Sequence, residues 1–167
     1  MAVSLLLAGS RGISRGQSTD EEYRVKAAFI FHFAQLVDWP PETPTGAGNS
    51  LYICTIGDDP FQGALESTVE GKSVGDRIVH VRHLKQAADM HACQVLFLGK
   101  SQSKSIPVLT VGESSGFLGA GGMICFVRED NNVRFGINLD AAESAKLKIG
   151  SRLLILAQTV IGESREK

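Results

Sequence analysis

Two apolar runs, Val95-Leu96-Phe97-Leu98-Gly99 and Val108-Leu109-Thr110-Val111-Gly112, set the tightest limit on what this chain can fold into. A strand with one wet face alternates apolar and polar residues, whereas a run with almost no alternation belongs to a strand covered on both faces. Such strands occur where helices sheathe a parallel sheet, so the flanking segments should alternate between strand and helix. They do. Residues 51–56 read as a strand closed by Gly57-Asp58-Asp59-Pro60, 61–69 as a helix, 78–84 as a second strand and 85–90 as a short helix. After Gly112 the glycine-rich stretch 116–122 leads into an apolar segment at 123–128. Glu129-Asp130-Asn131-Asn132 then turns into 133–138, with asparagines suited to the positive φ of a hairpin turn. Asp140 is the expected cap of a last helix whose core face carries Leu147, Ile149, Leu153, Leu154 and Leu156. The order predicts an α/β fold of three layers, Rossmann- or flavodoxin-like, with a mainly parallel sheet and an antiparallel hairpin at its edge. One connection is short for this plan. Only residues 100–107 join two strands expected to be parallel, where a crossover normally takes about a dozen residues or more.

A strongly aromatic helix precedes the first strand. Thr19-Asp20-Glu21-Glu22 has capping-box spacing, and Tyr23, Ala27, Ile30, Phe31, Ala34 and Val37 then recur three and four residues apart. Phe29, Phe33 and Leu36 widen the stripe beyond one core-facing side, so the helix is either sandwiched between layers or shared with a partner. Trp39-Pro40-Pro41 ends it, because proline disfavours helical geometry in the residue before it, and 42–50 reads as a loop. Phe29, Phe33 and Trp39 are large enough to anchor an interface, with packing inside the domain an equal alternative. Ile149 and Leu153, beside Glu143 and Arg152, form a second candidate surface on the last helix.

The totals exclude several classes of function. At 167 residues, with 43% hydrophobic and 21% charged residues, the chain suits one globular domain, placed here at 19–162 with a tail at 163–167. A formal charge of −1 with no long basic run gives nucleic acid no electrostatic footprint. No stretch reaches the roughly 18 apolar residues needed for a membrane span. Residues 1–18 begin with the apolar block Ala2-Val3-Ser4-Leu5-Leu6-Leu7-Ala8-Gly9 and read as a signal-peptide remnant without its basic leading region, or as a disordered leader. Among the four histidines, His32 and His91 are isolated, and His80 and His83 stand three apart on a strand, facing opposite ways. With three cysteines lacking metal-ligand spacing, no metal or cofactor is expected. Gly119-Ala120-Gly121-Gly122 lacks the Gly-Lys-Ser/Thr of a phosphate loop and reads as a close backbone approach to a strand. For an enzyme, the remaining candidate is a Rossmann-like site at the strand ends near Asp58 and Asp59, which serve equally well as a turn and helix start. Cys54, Cys93 and Cys125, taken alone, read as buried small hydrophobes.

Taken in order, the segments resemble the YfiR family. The resemblance lies in Tyr23-Arg24-Val25-Lys26-Ala27-Ala28-Phe29-Ile30-Phe31-His32-Phe33-Ala34 running into Val37-Asp38-Trp39-Pro40, then Cys54-Thr55-Ile56-Gly57-Asp58-Asp59-Pro60-Phe61 and Cys93-Gln94-Val95-Leu96-Phe97-Leu98. Leu109-Thr110-Val111-Gly112, Gly121-Gly122-Met123-Ile124, Val133-Arg134-Phe135-Gly136-Ile137-Asn138 and Arg152-Leu153-Leu154-Ile155-Leu156-Ala157 follow, so that it spans about residues 21–161. The resemblance implies a periplasmic, dimer-forming regulator without catalytic activity, which represses a membrane-bound diguanylate cyclase by binding its periplasmic sensor region. Cyclic-di-GMP signalling and biofilm formation would lie downstream. It also implies a disulfide between Cys54 and Cys93. A neighbouring position of the first strand for Cys54 and of the third for Cys93, in a 2-1-3 order, is compatible with that bond. A second family bridge has no counterpart, because Asn131, Asn132 and Val133 stand where Cys125 would need a partner. Two further departures are the shortened segment at 100–107 and Gly150, where a serine is usual.

Overall fold

A computed structural model of the chain describes residues 15–40, 49–100 and 108–162. The short connection at 101–107 and most of the leader, together with the tail at 163–167, lie outside the described residues. In order, the elements are α1 (Arg15–Leu36), β1 (Val37–Asp38), β2 (Ser50–Ile56), α2 (Ala64–Val69), β3 (Ser73–Val74) and β4 (Arg77–Leu84). A 3-10 turn at Ala87–Ala92 leads to β5 (Val95–Phe97) and β6 (Leu109–Gly112). The hairpin β7 (Ile124–Glu129) and β8 (Asn132–Asn138) is followed by α3 (Leu139–Ser144), β9 (Lys148–Ile149), α4 (Ser151–Leu156) and β10 (Thr159–Ile161).

Eight strands form the main sheet in the order β10-β8-β7-β6-β5-β2-β4-β3. β4, β2, β5, β6 and β7 run parallel, with Cys54 opposite Leu96 across the β2–β5 pair and Leu96 opposite Thr110 across β5–β6. The two continuous apolar runs are therefore adjacent central strands, parallel as expected despite the short connection between them. β7 and β8 pair antiparallel, and Asp130 takes the positive φ of their turn. The α/β class, the mainly parallel sheet and the antiparallel hairpin thus stand as the sequence predicts.

Side-chain alternation along the inner strands divides the interior in two. On one face, Leu51, Ile53, Val95, Leu109, Val111 and Ile124 pack against α1, α2, α3 and α4 through Ile30, Phe33, Leu65, Ala142 and Leu153. Burying each such side chain contributes roughly 1.5–3 kcal/mol, which explains the helices' apolar stripes. The opposite face is a smaller core of Tyr52, Cys54, Leu96, Leu98 and Val108. Among the described residues it is covered thinly, by Met90 and Cys93 from the 3-10 turn and Phe117 and Leu118 from the loop after β6. Gly112 and Gly122 hold Phe117 between them, since a Cβ on either would lie within 2.4 Å of its ring. The glycine-rich stretch thus makes its close approach to the Phe117 ring, and not to a strand as expected.

The chain departs from expectation at its two ends. α1 begins at Arg15, so Thr19 lies inside the helix, and Glu22 turns to Lys26 and Arg128 in place of closing a capping box. The single final helix is two helices separated by β9, and the cap of the first is Asn138, whose side chain accepts the Ala141 N–H at 3.0 Å, and not Asp140. β9 pairs antiparallel with β1, Val37 opposite Ile149. Leu156, placed on the core face, is instead 60% exposed. β10 then adds a short outer strand parallel to β8, which three residues could not announce.

Candidate functional site: the strand-end crevice and its surroundings

In an open α/β sheet the usual ligand site is the crevice outside the carboxyl ends of the strands, where the order of connection reverses. Here β4 and β5 flank β2, so the crevice opens beyond the ends of β2 and β5. Residues of α1 and of the loops after β2 and β6 line it. The ring of Phe61, just after β2, meets Phe97 at the end of β5 edge-on, with 4.8 Å between ring centres. Tyr23 of α1 packs edge-on against Phe61 at 5.3 Å, and its hydroxyl donates to Glu113, just after β6, at 2.9 Å. Lys26, one turn along α1, is 5% exposed and lies 2.6 Å from carboxylate oxygens of both Glu113 and Glu22. Arg128 closes the group by donating to Glu22 at 3.0 Å.

Burial, and then the Glu113 carboxylate, push the Tyr23 phenol well above its ordinary range. The same two causes raise the Cys125 thiol, with Lys26 opposing them. Cys125 is free and buried, its sulfur 3.5 Å from the Phe126 carbonyl oxygen, a setting that disfavours the reactive thiolate.

Asp58 and Asp59 sit where the enzyme alternative put them, at the end of β2. Asp58 is exposed, and Asp59 accepts the Phe61 N–H at 3.1 Å, which is the turn geometry that starts the α2 segment. Beside them His83 bridges three elements. Its Nε2 donates to Glu66 of α2 at 2.5 Å, since a carboxylate can only accept, and its Nδ1 lies 2.7 Å from the Thr55 hydroxyl of β2. Thr55 is 1% exposed, so its hydroxyl meets the imidazole and no substrate. His80 points to the other face, 5.7 Å from Tyr52. Among the described residues no group of three or more histidine, cysteine or acidic side chains is placed to hold a metal ion.

The interface candidates are scattered in depth. Phe33, Ile149 and Leu153 lie in the core. Phe29 is half-buried against Phe33, Phe126 and Phe135, and Trp39 is half-buried with its N–H donated to the Ala34 carbonyl at 2.9 Å. Glu143 is exposed. The structure does not bring the six together as one patch. Sequence reasoning missed the Tyr23–Lys26–Glu113 group. Its one legible signal is the four-residue spacing of Glu22 and Lys26, while Glu113 reaches it only through the fold.

Cys54 and Cys93 are joined in a disulfide, with Cα atoms 6.0 Å apart. The bond is possible because β5 lies beside β2, so that the turn entering β5 brings the Cys93 side chain over to Cys54.

These features define a class: a covalently cross-linked α/β domain whose strand-end crevice is lined by its own first helix. Its family follows from the sequence. Residues 23–158 match the YfiR/HmsC-like family model, and the chain belongs to that family, a regulatory one. No curated protein matches the chain. No described helix is long and apolar enough to cross a membrane.

Proposed function

We propose that this protein is a periplasmic repressor that binds the sensor region of a membrane-bound diguanylate cyclase and lowers cyclic-di-GMP output, and with it biofilm formation. It acts by equilibrium binding, as a homodimer, without catalysis or cofactor, and reaches the periplasm through a signal peptide. Family membership over residues 23–158 carries this reading. Two features support it. At the strand ends, where an α/β enzyme would hold substrate, Tyr23 packs edge-on against Phe61 and Lys26 is ion-paired to Glu113, and a disulfide suits an oxidising compartment. Of the candidate contact residues, Glu143 and the outer edges of Phe29 and Trp39 are those a partner can reach directly.

Repression by binding requires a preference for one state of the cyclase over the other. The test is capture of membrane proteins on the purified chain, followed by a cyclase assay with and without it. Co-purification of a membrane cyclase whose product formation falls on addition of the chain is the expected result. Absence of both, or a turnover lost on changing Asp58 and Asp59, overturns the reading.

A further inference from the structure

A hollow of about 700 Å³ lies at the end of β4, lined by Arg82 and Leu84 of the strand, Lys85 and Gln86 beyond it, and Asp89 and His91 of the 3-10 turn. Its volume falls among those of ordinary ligand sites, roughly 300–1,000 Å³. Its two permanent cations are free: among the described residues neither Arg82 nor Lys85 forms an ion pair. The Arg82 guanidinium stacks over the Tyr52 ring, its central carbon 3.5 Å from the ring centre. Tyr52 is itself buried, so the platform is firm. Stacking occupies the face of the guanidinium and leaves its N–H edge, the part that grips a carboxylate through two parallel hydrogen bonds. The wall opposite in sequence is tethered too, because the 3-10 turn ends at Cys93 and its disulfide to Cys54.

The strand that carries Arg82 also has backbone to offer. β3 pairs with β4 only at Arg77 and Ile78. The Val79 N–H donates to the Lys72 carbonyl at 3.0 Å, so the odd-numbered residues of β4 direct their backbone groups away from β2. The N–H and C=O of Val81 and His83 share that direction, and no described strand pairs with them on that side. A strand added there places alternate side chains on the Arg82 face and the rest on the Val81 face. The two faces ask for different residues. Val81 is half-buried against the main core, and the Glu66 carboxylate held by His83 lies on the same face, so an apolar neighbour suits it and an acid does not. On the other face an acid meets Arg82 and Lys85. A second copy of β4 would set these cations against themselves, which like-charge repulsion disfavours.

We infer that the hollow and the β4 backbone beside it form a docking site for an extended peptide segment that alternates acidic and apolar residues. The segment adds as a strand along Val81 and His83, with an acidic side chain gripped by Arg82. Main-chain bonds supply affinity in such a mode, and the alternate side chains supply specificity. The site goes beyond the proposed function and does not depend on a cyclase being the partner.

The probe is a short blocked peptide of alternating valine and glutamate, titrated into the oxidised full chain and followed by calorimetry and amide NMR. The expected result is saturable binding that weakens as salt rises, with slowed exchange of the Val81 and His83 amides. R82Q should weaken binding by roughly tenfold or more, and R82K, which keeps the charge but loses the planar fork, should not restore it. K85Q should weaken it less. D89N should tighten it, since Asp89 is the one acid in the lining. Thermal melting controls for folding. If R82Q melts low, K85Q and D89N carry the same test, because both side chains are exposed. No binding, equal binding of a valine–lysine peptide, or weaker binding by D89N overturns the inference. So does a preference for inorganic phosphate or for phosphatidylglycerol vesicles with the Val81 and His83 amides unmoved, the mark of a simple anion or membrane site.

Discussion

Lys26 lies almost out of reach of solvent between two carboxylates, and the three groups depend on one another. Replacing Lys26 with methionine keeps most of the volume but strands Glu113, whose side chain is 11% exposed, without its cation. Breaking a buried pair from one side typically costs about 3–5 kcal/mol, far more than the intact pair contributes. K26M should therefore lower Tm sharply in a melting experiment, and K26M with E113Q should recover part of the loss. No recovery would mean that Lys26 acts through its packed stem instead. Tyr23 adds a pH dependence of definite sign. Its phenol is raised in the fold above the ordinary value of about 10. Below that value the phenol is protonated in both states, and its contribution is fully present. Above it the unfolded chain ionises first, so stability is lost as pH rises. Melting of the wild type should fall beyond about pH 10 more steeply than that of Y23F, which has no proton to lose.

At the scale of elements, the disagreement between sequence and structure is confined to short pieces. The central strands and α1 were legible because their apolar patterns are long and have one interpretation. β9, β10 and the break between α3 and α4 were not, since two or three residues carry no period and Leu147, Ile149 and Leu153 fit a single helix equally well. The tie between β1 and β9 is a further case. The Gly150 N–H donates to the Leu36 carbonyl at 3.0 Å, and a Cβ at position 150 would stand 2.5 Å from that oxygen. Glycine at this position is what lets the backbone close onto α1. Serine at position 150 should force the two segments apart and cost about 1–3 kcal/mol, read as a drop in Tm. An unchanged Tm would show that the contact relaxes freely. The candidate site was legible in part. Asp58 and Asp59 fell at the predicted strand end, but size alone could not tell Phe33 and Leu153, which are core, from a surface anchor. L153A should therefore unfold the domain by about 2–5 kcal/mol, and any binding it loses should follow its folded fraction.

At the scale of the whole molecule, the described residues cover the two faces of the sheet unequally, and the disulfide sits on the face with the smaller core. Four helices seal one face, whereas the smaller core around Tyr52, Leu96 and Val108 is roofed, among the described residues, by the 3-10 turn and the loop bearing Phe117. The 3-10 turn is short, and its C-terminal neighbour Cys93 is pinned to β2 through Cys54. Closing a loop with a sequence separation of 39 is worth up to ~4 kcal/mol in the chain-entropy model. Part of that should act locally, because the tethered segment covers a face with few other contacts. Reduction should thus accelerate amide hydrogen exchange first at the 3-10 turn Ala87–Ala92 and next around Phe117, while β2 and β5 stay protected. The C54A/C93A double variant should reproduce the pattern without reductant. Uniform acceleration across both faces would instead place the bond's effect wholly in the unfolded chain, and the thin face would owe its order to packing alone.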